Sequence, residues 1–157
     1  MEYICNLIVV ADMERSKRFY RELLGQSVVS DLGANVTLSG GFALQTKRSW
    51  ADFLGKDETE VRFGGNDAEL YFEEEAFGAF IEKLQNYGAA LVHPPKEHPW
   101  GQRVVRFYDP DGHIVEVGES MARVVGRFLK DGLTMEETAA RMDVPLGFVQ
   151  AYAPKDA

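Results

Sequence analysis

Phe107-Tyr108-Asp109-Pro110-Asp111-Gly112-His113-Ile114-Val115-Glu116-Val117 is the stretch on which the reading of this chain turns. Proline presets φ for a tight turn and glycine accepts positive φ, so Asp109-Pro110-Asp111-Gly112 joins two extended runs, Arg103 to Tyr108 and Ile114 to Val117, as a hairpin. Side chains on a strand alternate between faces. With Val115 and Val117 directed to a core, Ile114 and Glu116 occupy the opposite face, and a slip of one residue would exchange the two. The turn therefore decides where the Glu116 carboxylate goes.

Working back from this hairpin, Ala90 to Val92 reads as another strand, and Phe77, Phe80, Ile81, Leu84 and Tyr87 take helical spacing before Gly88. Glu69 to Phe72 alternates polar and apolar residues, so the unit reads β-α-β-β-β. The same order appears earlier. Ile4 to Val10 is a β-branched run, Asp12 offers a helix cap and Gly25 a stop, and Val28-Val29, Asn35 to Leu38 and Phe42 to Gln45 are short extended pieces. Cys5 and Glu69 open the two first strands 64 residues apart, and Gln45 and Glu116 close the last ones 71 apart. Between the units, Ser49 to Gly55 suggests one or two helical turns and Val61 to Phe63 a short strand. From Ser120 the periodicity is helical throughout: Ser120 caps one helix, Thr134 and Glu137 form a capping box for a second, and Pro145 suits the first turn of a third. The expected fold class is α+β: two βαβββ modules, 1–55 and 61–119, forming a curved mixed sheet around a cleft, with a three-helix extension over 120–157.

Composition narrows the function. The chain has 157 residues, 45% hydrophobic and 27% charged, enough apolar material for a core and too much for disorder. A net charge of −8 repels phosphate backbones and anionic membranes. One cysteine, Cys5, makes no internal disulfide and no thiolate zinc cluster, which fits a reducing compartment. The apolar run Ile4 to Ala11 is short and lacks a positive leader, so a cytoplasmic protein without a membrane span is expected.

The paired units, the stretch Asp12-Met13-Glu14-Arg15-Ser16-Lys17-Arg18-Phe19-Tyr20-Arg21-Glu22-Leu23-Leu24-Gly25 and the run Phe107 to Val117 together resemble the vicinal oxygen chelate superfamily over about residues 3 to 119. Glyoxalase I, bleomycin-resistance proteins, fosfomycin-resistance enzymes and extradiol dioxygenases belong to it. One scaffold there serves isomerases, lyases, transferases, oxygenases and proteins that only sequester drugs, so the resemblance implies a fold and a small-molecule site rather than a reaction. In its metal-using members the ligands, mostly histidine and glutamate, sit on the first and last strand of each unit. Carried over, those places are Cys5, Gln45, Glu69 and Glu116. None is a histidine; His93, His98 and His113 lie elsewhere. Two alternatives stand open here. Glu69, Glu116 and Cys5 hold a divalent transition metal, or the face is metal-free and Cys5 is a small buried hydrophobe.

Around these places, Tyr71 shares a strand face with Glu69 and Glu73, while Trp50, His98 and Trp100 lie in segments able to fold over an opening. Arg106 and Arg62 either neutralise an acidic ligand or pair with the chain's carboxylates. The expected site is Glu116 as general base or ligand, with Cys5, Gln45, Trp50, Glu69, Tyr71, His98, Trp100 and Arg106 binding substrate. A lyase or isomerase of this kind abstracts a proton next to a carbonyl, which needs the Glu116 pKa raised by burial. The competing reading is a metal-free resistance-type protein whose acidity attracts a cationic molecule. A third makes the chain a ligand sensor whose helical tail meets a partner. Leu133 to Val149 resembles a helix-turn-helix, but residues 121–157 hold five basic and five acidic side chains, no footprint for nucleic acid. A homodimer is the assembly the resemblance implies.

Overall fold

Alternating apolar residues build two four-stranded sheets of one design in the computed structural model, which describes residues 1–154. In the first, β1 (Asn6–Val10), β2 (Val28–Asp31), β3 (Asn35–Leu38) and β4 (Phe42–Thr46) lie in the order β1-β4-β3-β2. In the second, β5 (Glu69–Glu74), β6 (Leu91–Glu97), β7 (Arg103–Tyr108) and β8 (Ile114–Glu119) lie in the order β5-β8-β7-β6. In each, the first strand joins the last in parallel. A helix follows each first strand: α1 (Met13–Leu24) and α3 (Phe77–Tyr87), with α2 (Lys47–Leu54) after β4. The duplicated β-α-β-β-β order read from the sequence is thus the architecture. The fold is α+β, with α4 (Met121–Lys130), α5 (Met135–Met142) and α6 (Leu146–Tyr152) at the C-terminal end.

The chain divides into two compact units, residues 1–68 with 108–113 and residues 69–107 with 114 onward. In the first, Asp12 caps α1 by accepting from the Arg15 N–H, and Gly25 ends it in the left-handed conformation at φ 67°. The buried face of α1 is Ser16, Phe19, Tyr20 and Leu23, and the Tyr20 ring meets Phe42 of β4 edge-on at 5.2 Å. The Asp109 turn belongs to this unit. Its Oδ1 accepts from the Asp111 and His113 N–H groups at 2.9 and 2.8 Å, and its Oδ2 accepts from the buried Tyr20 hydroxyl at 2.8 Å. Asp111 pairs with Arg15 at 2.5 Å and accepts from the Ala11 N–H at 3.1 Å. A turn chosen for its backbone geometry is therefore also anchored by side chains.

In the second unit, Phe77, Phe80 and Leu84 of α3 are buried together with Val105, Phe107, Val115 and Val117, and the Phe80 and Phe107 rings lie 6.1 Å apart. The C-terminal helices close a cluster of their own around Val124, Val125, Phe128, Ala139, Met142 and Val149. The capping reading holds: Ser120 accepts from the Arg123 N–H, and Thr134 and Glu137 form a capping box. Glu119, with 4% of its side chain exposed, receives Arg103 at 2.6 Å and Arg127 at 3.0 Å and so ties α4 to the sheet.

Beyond strand ends that run on by a residue or two, three features differ from the sequence reading. β1 begins at Asn6, which leaves Cys5 just outside it. No strand forms over Val61 to Phe63; a single 3-10 turn, Glu58–Glu60, closed by an Asp57/Glu60 capping box, takes up that connector. β6 runs on through Pro94 and Pro95, which an edge strand tolerates because its outward N–H groups have no ladder to complete. Among the described residues no helix is long and apolar enough to cross a membrane.

Burial alone would raise the Glu119 carboxyl, but the hydrogen bonds from Arg103 and Arg127 outweigh it and hold the pKa below its ordinary value. The stability this contributes is present above the unfolded carboxylate value and is lost as pH falls through the lower folded one. Glu119→Gln should therefore lower the urea midpoint at pH 7 and flatten its decline between about pH 5 and 3. An unchanged acid limb contradicts this role.

Candidate functional site

β5 and β8 run in parallel with Tyr71 opposite Glu116 and Glu69 opposite Ile114, which puts Glu69, Tyr71 and Glu116 on the sheet face away from α3. β7 adds Arg106 to that face. Its Nε donates to Glu69 Oε2 at 2.8 Å, its Nη2 forms an ion pair with Glu116 Oε2, and its Nη1 lies 3.5 Å from His93 Nε2 on β6. One guanidinium thus serves two carboxylates. They are unequal: 36% of the Glu69 side chain is exposed but only 6% of Glu116. Burial raises the Glu116 carboxyl above its ordinary value even though Arg106 pulls it down. The hydrogen bond to Glu69, with the field of Glu116, holds the Arg106 guanidinium above its own. A buried charge needs such a partner, since desolvation without one is prohibitive.

Beside this cluster lies a chain of polar and aromatic contacts. The Tyr71 hydroxyl donates to Glu73 Oε1 at 3.0 Å and accepts from Gln102 Nε2 at 2.7 Å. Its pKa is pushed up to about 12, chiefly by burial and with help from Glu73. Gln102 is buried; its Nε2 also donates to the Glu119 carbonyl at 2.9 Å, and its Oε1 accepts from the Trp100 indole at 3.2 Å. Gly118 makes room for it, because a Cβ there would stand 2.7 Å from the Gln102 amide nitrogen. The His98 ring stacks on Trp100 with centroids 4.1 Å apart, and Trp100 stays 38% exposed. Burial, with the field of Arg106, lowers the His98 pKa. The face therefore offers carboxylates, the neutralised Arg106, the Lys96 ammonium opposite Val104 and an aromatic surface.

The first unit presents a different face. Gln45 is buried and satisfied locally: its Oε1 accepts from Asn35 Nδ2 at 2.7 Å and its amide donates to the Ser49 hydroxyl. Leu7 stands opposite Ala43 and Val9 opposite Gln45, the places that Glu69–Ile114 and Tyr71–Glu116 take in the second sheet. The register thus makes Leu7, not Cys5, the counterpart of Glu69. Cys5 is a free, partly buried thiol ahead of the strand, and Trp50 is partly buried in α2. Glu69, Tyr71, His98, Trp100, Arg106 and Glu116 thus all belong to the second unit, and Cys5, Gln45 and Trp50 to the first.

Within the second unit, Glu69 and Glu116 are both closed on the Arg106 guanidinium and do not stand free as metal ligands, and no three His, Cys, Asp or Glu among the described residues group to hold an ion. His93, Gln102 and Gly118 join the site without having been singled out for it from the sequence. Gln102 is the least foreseeable, since a polar residue after Trp-Gly gives no sign of being buried.

A glyoxalase-like domain profile matches residues 3–122. Among solved structures, a protein of unknown function from Agrobacterium tumefaciens C58 is 38% identical, with a TM-score of 0.71, over 77% of this chain and 95% of its own. A member of the glyoxalase/bleomycin resistance protein/dioxygenase superfamily from Sphaerobacter thermophilus is 27% identical, with a TM-score of 0.59, over 76% of this chain and 98% of its own. A lactoylglutathione lyase from Agrobacterium tumefaciens, at 20% identity and a TM-score of 0.58 over 76% of this chain and 93% of its own, shares the fold. No curated protein matches the chain.

Removing Arg106 strands a buried carboxylate, so Arg106→Met should cost about 3 kcal/mol in urea unfolding at pH 7. Adding Glu116→Gln should return most of that loss, because the group left behind is then neutral. Additive losses in the double variant contradict the pairing.

Proposed function

Because the chain belongs to the glyoxalase-like family of the vicinal oxygen chelate superfamily, we propose that it binds a small, flat, cationic organic molecule on the open face of its second sheet, without a metal, in the manner of a sequestering protein. The observation that carries this reading is the Arg106 guanidinium held between Glu69 and Glu116. It supplies the positive charge that paired carboxylates require, so no divalent ion is needed to make the face stable. Glu69, Glu73 and Glu116 against Arg106 and Lys96, which stands opposite Val104 on the same face, still leave the face negative by one charge, and the chain carries −8 overall, so cations are drawn to it. The exposed Trp100 surface, backed by His98, and the Tyr71 ring supply apolar and cation–π contact for a planar ligand.

A second reading makes Glu116 a general base next to a carbonyl, and its burial-raised carboxyl favours that. The geometry favours it less. A base has to reach the proton it takes, and this carboxylate is buried and committed to Arg106.

The chain has two tryptophans, so Trp50→Phe leaves Trp100 as the sole indole reporter. Titrated with N-methylacridinium, this variant should show saturable quenching, and with anthracene-9-carboxylate none. Adding Glu73→Gln should weaken the cation about fivefold, the order expected for one charge near the surface. Equal binding of the anion, or no saturation with the cation, overturns the reading.

A further inference from the structure

The Trp100 loop is held from outside the family domain. His98 to Gln102 forms a tight turn, with the His98 N–H donating to the Gln102 carbonyl and the Gly101 N–H to the His98 carbonyl, both at 2.8 Å. Two further carbonyls of this turn are taken by arginines of the C-terminal helices. Arg127 of α4 donates through Nη2 to the Gly101 carbonyl at 2.5 Å, and Arg141 of α5 donates through Nη1 to the Pro99 carbonyl. Both also face Glu97 at the end of β6, at 3.9 and 3.7 Å. Their guanidinium groups lie 5.1 and 5.3 Å from the ring centre of Phe128. That ring packs against Gly101, which adopts φ +89°; a Cβ at this glycine would collide with it. The glycine is thus required twice, by the backbone and by the contact.

We infer that Arg127 and Arg141 are positioning residues: α4 and α5 fix the turn that carries Trp100 and thereby set the affinity of the binding face. The inference rests on the reading of that face as a binding site. Neither arginine has a contact with Glu69, Tyr71, Arg106 or Glu116 among its hydrogen bonds and ion pairs. Their effect runs through the loop. The Trp100 indole donates to Gln102, and Gln102 donates to Tyr71, so backbone order at residues 99–101 reaches the face in two hydrogen bonds. A surface loop held only by its own turn samples many conformations, and ordering it on binding subtracts from affinity. Charge-assisted bonds to its carbonyls meet that ordering cost in advance. The matching family profile ends at residue 122, before Arg127, Phe128 and Arg141, so this support comes from the extension and not from the shared domain.

Arg141 is the residue to change, because 41% of its side chain is exposed and it meets the apolar cluster of α4–α6 through the Phe128 ring alone. In the Trp50→Phe background, Arg141→Ala should lower the Trp100 fluorescence anisotropy without ligand and weaken N-methylacridinium about fivefold. Arg141→Lys, which keeps a cationic donor for Pro99, should recover most of both. Unchanged anisotropy overturns the inference, as does a freed loop with unchanged affinity, and in both cases the binding reading stands. A parent protein that binds no cation contradicts the binding reading itself, and the functional role given to the loop falls with it. Circular dichroism on each variant separates these outcomes from a loss of fold.

Discussion

A carboxylate with almost no access to water has to meet a positive charge, and for Glu116 that charge is Arg106. The second unit is organised around this requirement. β8 must present Glu116 to the face away from α3, β7 must present Arg106 to the same face, and β5 must bring Glu69 within reach of the same guanidinium. Each condition is one of register, and a slip of one residue in any strand would bury a charge against α3. The Asp-Pro-Asp-Gly turn enforces it. Asp109 binds two backbone N–H groups of the turn through one oxygen and the Tyr20 hydroxyl through the other, so the point where β8 starts is set by a polar, anchored turn and not by the valines alone.

The duplication that builds both sheets does not extend to their chemistry. Strand order, the parallel pairing of first and last strands and the crossover helix recur in each unit. The residues on the corresponding face do not. Leu7, Val9 and Gln45 stand where the other unit has Glu69, Tyr71 and Glu116, and Gln45 completes its hydrogen bonds with Asn35 and Ser49. A scaffold repeated by strand pairing thus carries one charged face and one closed on itself. Backbone pairing constrains side chains only through the alternation of faces, which leaves their chemistry free to diverge.

Much of the architecture was legible in the sequence because it depends on local rules. The helix limits at Asp12, Gly25, Gly88, Ser120 and Thr134 follow from capping chemistry, and the side of the sheet that Glu116 faces follows from its valine neighbours. The misplaced details depend on long-range pairing. Counting from the start of an apolar run put Cys5 on the first strand, whereas the ladder begins at Asn6 and makes Leu7 the counterpart of Glu69. Pro94 and Pro95 hid the length of β6 because nothing local marks an edge strand. The partnership of Arg106 with both carboxylates joins three strands, and spacing along the chain cannot choose it over other arginines. The grip of Arg127 and Arg141 on the Trp100 turn is of the same kind, joining two helices to a loop distant in sequence.

On this face the Arg106 guanidinium neutralises both Glu69 and Glu116. Crystals of the protein grown with excess zinc or manganese and measured at the metal's absorption edge test this pairing. The expected result is an anomalous map without a peak between Glu69 and Glu116, and density for Arg106 reaching both. A metal ion ligated by those two carboxylates, with Arg106 turned away, would contradict it.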